Sequence, residues 1–253
     1  MEWLTLARSA NPHDDSEYVD DDTEIHKITN LFANRLNIIF PTDGDFSVAQ
    51  SPTKNVSLPP TFAQPDPISL KQILLMCTSF WVISLSTSPS LPTLTSLLLT
   101  QSPPPIAFEI LVTMFEHSTR PKLYFATDSI AHGSLALTFS SLAHKFFPKT
   151  AEKLQFLGAL SPTSLSVIFD KLLVDLLPMA SAIRVFTEFI KSGVKVLFRY
   201  GLALISMHKK VIKNGMFSDG GMLWGKIAEL NSEANFSFDK LQLIAFQKVW
   251  GKR

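Results

Sequence analysis

The sequence predicts an all-α protein, and three observations support this fold class. Apolar residues recur at spacings of three, four and seven through most of the chain, which is the period of amphipathic helices. No segment shows the apolar–polar alternation of a half-buried strand. Prolines begin several apolar runs, as they do in the first turn of a helix. Because 46% of the 253 residues are apolar and 18% are charged, the chain can bury a large core.

The first part of the chain is predicted to hold one helix between two irregular segments. Residues 13–24 carry seven acids and no Lys or Arg, so residues 1–24 are expected to form an acidic, solvated leader. These acids do not fit a calcium loop, which needs a glycine and a terminal Glu at fixed offsets. Residues 25–39 carry a helical apolar stripe that Pro41 closes. Residues 41–67 contain six prolines and are interpreted as a Pro-rich insertion loop.

The remaining chain is predicted to add helices to the same domain, which is expected to span residues 25–253. No fixed-period repeat is visible, which disfavours a solenoid. Gly220 and Gly221 are expected to lie in a loop. The expected helices span residues 68–85, 91–100, 106–116, 134–147, 151–160, 163–176, 223–230 and 238–249, with a helical hairpin over 177–213.

The hairpin over residues 177–213 has the most uneven charge in the chain. Pro178 can open its first helix, and Gly193 is predicted to end it. Between positions 184 and 213 there are seven basic residues and one acid, a formal charge of +6. The spacing predicts a second helix with one buried side and one basic side, the latter carrying Lys195 and Arg199. His208 falls on the apolar side and is interpreted as a hydrogen-bonded core histidine.

The sequence offers no motif for a metal or a cofactor. It contains no phosphate-binding loop, dinucleotide fingerprint, nucleophile elbow or H-E-x-x-H pair, and its six histidines are scattered. No cofactor and no metal are therefore expected. The single cysteine, Cys77, excludes an internal disulfide and a cysteine-based zinc site, and is expected to be buried. A net charge of +1 gives no case for nucleic acid as a partner.

No targeting or membrane-spanning segment is predicted. The most apolar run, residues 73–85, is too short to cross a bilayer, and the N-terminus lacks the pattern of a secretory signal. The expectation is a cytoplasmic protein.

Two motifs in the C-terminal half resemble a known family. The run R-V-F-x-x-F-x-x-x-G-x-K-V-L-F-R-x-x-L-A-L-I, from Arg184 to Ile205, resembles the C-terminal signature of TBC domains, which act on Rab-type small GTPases. The variant in Skywalker-like TBC-TLD proteins is particularly similar. The last predicted helix, FSFDKLQLIAFQKVW, resembles the closing F-D-x-L-x-x-x-A-F of the family. The resemblance covers residues 88–249 and implies an all-α array in two lobes with a groove for the GTPase.

The resemblance implies a regulator or binding module for Rab- or Arf-class GTPases in vesicle traffic, with degraded catalytic residues. Active members supply an Arg in I-x-x-D-x-x-R and a Gln in Y-x-Q. Here Arg35 is the candidate arginine finger, but Thr29 and Phe32 replace the usual Ile and Asp. No Tyr-x-Gln lies near residue 91. Thr187 and Phe169 stand where an Asp and a Trp are usual, so weak or absent GTPase activation is expected.

The resemblance also implies an alternative, a membrane-peripheral phosphoinositide-binding adaptor on vesicle or plasma membranes. Arg199 matches a pocket arginine of Skywalker-like members, and Lys195 could assist it, because Arg beside an ammonium suits a polyphosphate. In those members the pocket also uses an N-terminal basic helix, which this chain is expected to start after, and a TLD domain follows. The chain is therefore interpreted as a divergent paralogue or a truncated product. A plain helical scaffold is the third hypothesis.

Overall fold

The computed structural model describes residues 67–81, 85–116, 124, 129–232 and 236–248. These residues form eleven α-helices and one π-helical segment and contain no β-strand, which confirms the all-α prediction. The predicted acidic leader, the helix over 25–39 and the Pro-rich loop up to residue 66 lie outside this part of the chain. The helices are α1 (Pro67–Trp81), α2 (Leu91–Leu99), α3 (Pro104–Glu116), α4 (Ser129–Phe146), α5 (Pro148–Phe156), α6 (Pro162–Phe169), α7 (Met179–Ser192), α8 (Lys195–Met207), α9 (Lys209–Asn214), α10 (Gly220–Ser232) and α11 (Phe238–Leu243), and the π-helical segment is Ile244–Lys248.

Local sequence signals determine several helix ends. Pro148 and Pro162 occupy the first turns of α5 and α6, where a missing N–H breaks no helical bond. Ser161 caps α6, with its Oγ accepting from the Ser164 N–H at 3.2 Å. Gly193 ends α7 at a φ of 68°, and its N–H donates to the Phe189 carbonyl at 2.7 Å. The predicted stop at Gly193 is confirmed.

The prediction of one helix over 163–176 is wrong. Helix α6 ends at Phe169, and both Leu172 and Leu173 adopt positive φ values, 48° and 64°. From Leu172 to Leu177 every residue except Asp175 is buried. A single helical face cannot bury five residues out of six, so the chain leaves the helix in order to bury them.

The second helix of the predicted hairpin also differs from expectation. It is broken at His208 into α8 and α9. Helix α8 is buried on nearly all sides, from Val196 to Ile205 with the exception of Arg199, instead of having one buried and one basic side. The reason is its position, since α6, α7, α9, α11 and the π-helical segment all pack against it.

The predicted loop at Gly220 and Gly221 is the first turn of α10. The Asp219 carboxylate caps this helix, because its Oδ1 accepts from the Met222 N–H at 2.8 Å. A Cβ on Gly220 would lie 2.6 Å from the Cα of Ala159, so glycine is needed here for a close approach of two backbones.

The described residues divide into two compact units. One contains residues 67–81 and 95–110, and the other contains 85–94, 111–116, 124, 129–232 and 236–248. In the first unit, Cys77 is fully buried, as expected, and burial raises the pKa of its thiol to about 12. Across both units, no described helix combines the length and hydropathy needed to cross a bilayer.

Candidate functional site

Helix α8 presents the two predicted anion-binding residues one turn apart. Lys195 is the exposed first residue of the helix, and Arg199 follows at the i+4 position on the same face. The Arg199 guanidinium is half-buried and lies over the ring of Phe246, with Cζ 4.9 Å from the ring centroid. Such a cation–π contact fixes the guanidinium and leaves its N–H edge available to an anion.

A buried tyrosine sits beside this pair. The ring of Tyr200 stacks on Phe238 at 5.8 Å between centroids and meets Phe246 edge-on at 5.9 Å. Its hydroxyl is buried and has no hydrogen-bond partner within the described part of the chain. Burial, and secondarily the negative charge of Glu188, raises the Tyr200 pKa to about 12, against the opposing effect of Arg184. The hydroxyl is therefore neutral at any physiological pH.

A second arginine is held by the same C-terminal segment. The Arg184 guanidinium lies 4.1 Å from the centroid of Phe238, and its Nη2 donates to the Asp239 Oδ1 at 3.0 Å. Both side chains are more than half exposed, so the ion pair contributes little stability and serves mainly to orient Arg184. The two TBC-like motifs thus meet in space, since α7 and α8 supply the arginines and residues 238–246 supply their aromatic platforms.

The formal +6 of the hairpin does not form a single basic face. Arg184 is paired with Asp239, and Lys191 lies 3.5 Å from the Glu188 carboxylate. The three lysines at positions 209, 210 and 213 belong to α9, a separate helix that packs against α5. Among the four cations of α7 and α8, Lys195 and Arg199 have no carboxylate partner within the described residues.

The residues implied in GTPase activation are only partly placed. Arg35, Thr29 and Phe32 lie outside the described residues. Thr187, which replaces the usual Asp, is exposed on α7, and its hydroxyl donates to the Ile183 carbonyl of its own helix at 3.0 Å. No carboxylate is supplied at this position.

Phe169, which replaces the usual Trp, fills a core position. Its ring centroid lies 5.9 Å from that of Phe139 and 5.1 Å from that of Phe198. Because Phe has no ring N–H, this substitution removes a hydrogen-bond donor from the position.

His208 is hydrogen-bonded at the edge of the core, as the sequence indicated. Its Nε2 lies 2.8 Å from the Oδ1 of Asn231, and the Asn231 Nδ2 donates to the Leu176 carbonyl at 2.8 Å. Burial lowers the His208 pKa, helped by Lys240 and opposed by the Asn231 bond. Asn231 was not identified from the sequence, because an isolated Asn in an amphipathic helix carries no signal of its partner.

A second histidine, His132, pairs with a carboxylate. Its Nε2 lies 2.7 Å from the Oδ1 of Asp170. Burial raises the pKa of Asp170 above its ordinary value, and the contact with His132 offsets part of this rise. Neither pair forms part of a cluster of ligands: the described residues contain no group of three His, Cys, Asp or Glu side chains able to hold a metal ion.

Comparison with known proteins identifies the family. A family model described as RabGAP TBC domain matches residues 87–219, which is more than half of the chain. No curated protein matches significantly.

Solved structures share the fold at low identity. The TBC domain of Skywalker/TBC1D24 from Drosophila melanogaster matches with a TM-score of 0.58 and 16% identity, over 97% of this chain and 78% of that one. The same domain in complex with inositol(1,4,5)triphosphate matches with a TM-score of 0.59 and 15% identity, over 97% of this chain and 90% of that one. The Chlamydomonas flagellar RabGAP TBC domain matches with a TM-score of 0.57 and 15% identity, over 98% of this chain and 72% of that one. The chain belongs to the RabGAP TBC domain family.

Proposed function

We propose that this TBC-family protein binds and regulates small GTPases of the Rab or Arf class in vesicle traffic, with little or no GTPase activation of its own. The family match over residues 87–219 carries the proposal. The docking of residues 238–246 onto α7 and α8 supports it, because it joins the two motifs on which the family resemblance depends.

Weak activation is inferred from the sequence of the finger motifs. Activation in trans requires an arginine to stabilise charge on the phosphoryl group and a group that positions the attacking water. Arg35 lacks the Ile and Asp that accompany the family arginine, and none of the three tyrosines is followed two residues later by Gln. Thr187 likewise supplies a hydroxyl where the family has a carboxylate.

Two assays on the same panel of Rab and Arf proteins test this proposal. Direct binding to the GTP-loaded forms is expected for at least one GTPase, with hydrolysis remaining near its intrinsic rate. An intact arginine finger is worth roughly 10³–10⁵ in kcat. Arg8→Ala is the matched control substitution. An acceleration of that order that is abolished by Arg35→Ala but not by Arg8→Ala would disprove the proposed loss of GTPase activation. Absence of binding across the panel would disprove GTPase recognition.

A second candidate function is recognition of a phosphoinositide headgroup by Lys195 and Arg199. The supporting geometry is a guanidinium oriented by Phe246 with an exposed ammonium one turn away. The inositol(1,4,5)triphosphate complex of the Skywalker/TBC1D24 domain supports the ligand class. With this second function, we propose that the protein works in the cytoplasm, attached peripherally to vesicle or plasma membranes.

Co-sedimentation with phosphoinositide-containing vesicles at two salt concentrations tests the headgroup site. The binding that phosphoinositide adds, compared with vesicles that carry the same charge as phosphatidylserine, should fall with salt and be lost in Lys195→Ala/Arg199→Ala. Lys191→Ala/Lys226→Ala removes the same charge and should retain it. Equal loss in both variants would indicate a net-charge effect and contradict the site. If neither GTPase nor headgroup binds, the plain scaffold is the remaining interpretation.

A further inference from the structure

Helices α5 and α9 lie side by side and are joined at both ends. The Lys153 ammonium donates to the carbonyls of Lys213 and Gly215, at 2.9 and 2.8 Å. At the other end, the Lys209 Nζ lies 6.0 Å from the ring centroid of Phe147, which immediately precedes α5. The two helices therefore run in the same direction, and Lys153 satisfies carbonyls at the C-terminal end of α9.

This arrangement gathers five lysines on adjacent helices, which we name the α5–α9 patch: Lys149, Lys153, Lys209, Lys210 and Lys213. In segments 147–156 and 209–216 the one acid is Glu152. All the lysines except Lys153 are exposed. Two of the pairs, 149 with 153 and 209 with 213, are spaced four apart, so each helix presents its pair along one face.

Two apolar side chains flank the lysines. Phe156 is 89% exposed and Met216 is 95% exposed, the highest values among large apolar residues of the described chain. Phe156 lies one turn after Lys153 on α5, and Met216 follows the glycine whose carbonyl Lys153 contacts. Both therefore border the patch around one residue, Lys153. Apolar side chains beside a cluster of lysines are typical of segments that lie on a membrane surface.

We infer that the α5–α9 patch binds the surface of an anionic lipid bilayer, with Phe156 and Met216 inserted among the headgroups. Lysines are mobile point charges, which suit a diffuse negative surface better than a single polyphosphate that rewards bidentate arginine. An acidic protein could neutralise the charges, but a bilayer also accommodates two unpartnered apolar side chains beside them. The patch is separate from Lys195 and Arg199 and does not depend on GTPase binding.

Co-sedimentation of the full chain with phosphatidylcholine vesicles, with and without phosphatidylserine, tests the inference. Wild type should bind the phosphatidylserine vesicles and release them as salt rises from about 0.1 M to about 1 M, where the screening length falls from roughly 10 Å to roughly 3 Å. Each lysine near an anionic surface changes binding about fivefold, so Lys149→Gln/Lys209→Gln should weaken it about 25-fold. Phe156→Ser/Met216→Ser should weaken it at least about tenfold while the salt dependence persists.

The control Lys191→Gln/Lys226→Gln removes one exposed and one half-buried lysine outside the patch and should change binding less than twofold. All substituted side chains are exposed or half-buried, and Lys153 is kept because it caps α9. Far-ultraviolet circular dichroism and melting curves check that each variant is folded.

Three results would overturn the inference. They are equal binding to vesicles with and without phosphatidylserine, equal loss in the control variant, and binding that depends only on Lys195 and Arg199. Light scattering of the protein alone adds a fourth: dimerisation abolished by Phe156→Ser/Met216→Ser would assign the patch to a second copy of the chain. GTPase binding measured on the same variants should be unchanged, so failure here is distinguishable from failure of the proposed function.

Discussion

Two glycines in α10 should respond oppositely to the same substitution. At Gly220, an added Cβ would lie 2.6 Å from the Cα and 2.8 Å from the N of Ala159, and 2.9 Å from the Ser164 Oγ. At Gly225, nothing lies within 4 Å of the added atom. Gly220→Ala and Gly225→Ala therefore change the same chemistry in one helix, with and without a close backbone neighbour.

The magnitudes follow from the contacts. Two of the three atoms near Gly220 are backbone and cannot rotate away, so overpacking should cost about 1–3 kcal/mol. The lower chain entropy of Ala in the unfolded state returns about 0.4–1 kcal/mol, which leaves a net destabilisation of up to about 2.6 kcal/mol. Gly225 is in the helix interior and exposed, where Ala is favoured by about 1 kcal/mol.

Urea unfolding followed by circular dichroism measures both changes. The midpoint should fall for Gly220→Ala and rise for Gly225→Ala, with the denaturant slope unchanged. If the midpoint rose for both variants, helix propensity alone would govern the stability of α10. The close packing of Gly220 on Ala159 would then contribute nothing to the free energy of unfolding. The Trp224 indole, which donates to the Ala159 carbonyl at 3.2 Å, provides a second readout, since its fluorescence should shift only in Gly220→Ala.

Three further predictions concern buried polar groups. Asn231→Ala should destabilise the fold by about 2–4 kcal/mol in urea unfolding, because it leaves the Leu176 carbonyl and His208 unpaired; a cost near zero would mean that water replaces the amide. Burial lowers the folded-state pKa of His208, so the unfolded chain binds this proton more readily and stability should fall as pH drops below about 6.5. Unfolding measured against pH should show a shallower fall in His208→Gln, and an unchanged profile would exclude this histidine as the source. Tyr200→Phe should raise stability by about 1 kcal/mol, since it removes a buried hydroxyl that lacks a partner; a loss would reveal an ordered water there.

The sequence predicts those features of the fold that depend on local chemistry. Gly193 ends α7 because a glycine adopts the positive φ of a helix C-terminus at little steric cost, and prolines begin α5 and α6 for an equally local reason. The end of α6 is different. The periodicity around Leu172 and Leu173 is helical, but tertiary burial of consecutive leucines outweighs it, and no local pattern reports that competition.

The candidate site shows the same division. Lys195 and Arg199 could be placed on one helix face from their spacing. The contact of Arg199 with Phe246 joins residues distant in sequence, and periodicity does not reveal such a contact. The closing motif of the family contains Phe246, so the resemblance included the platform without indicating its partner. The division of the basic residues between α8 and α9 required the break at His208, which the continuous apolar pattern concealed.

Cys77 is a natural reporter of local structural opening around α1. It is the single thiol in 253 residues, it is fully buried on α1, and its high pKa keeps it protonated, so a thiol reagent can modify it only when the surrounding structure opens. The rate of modification under native conditions therefore measures the frequency of that opening without an introduced probe. A GTPase or a vesicle that slows this reaction would do so by favouring the closed state around α1, even if it contacts the protein elsewhere.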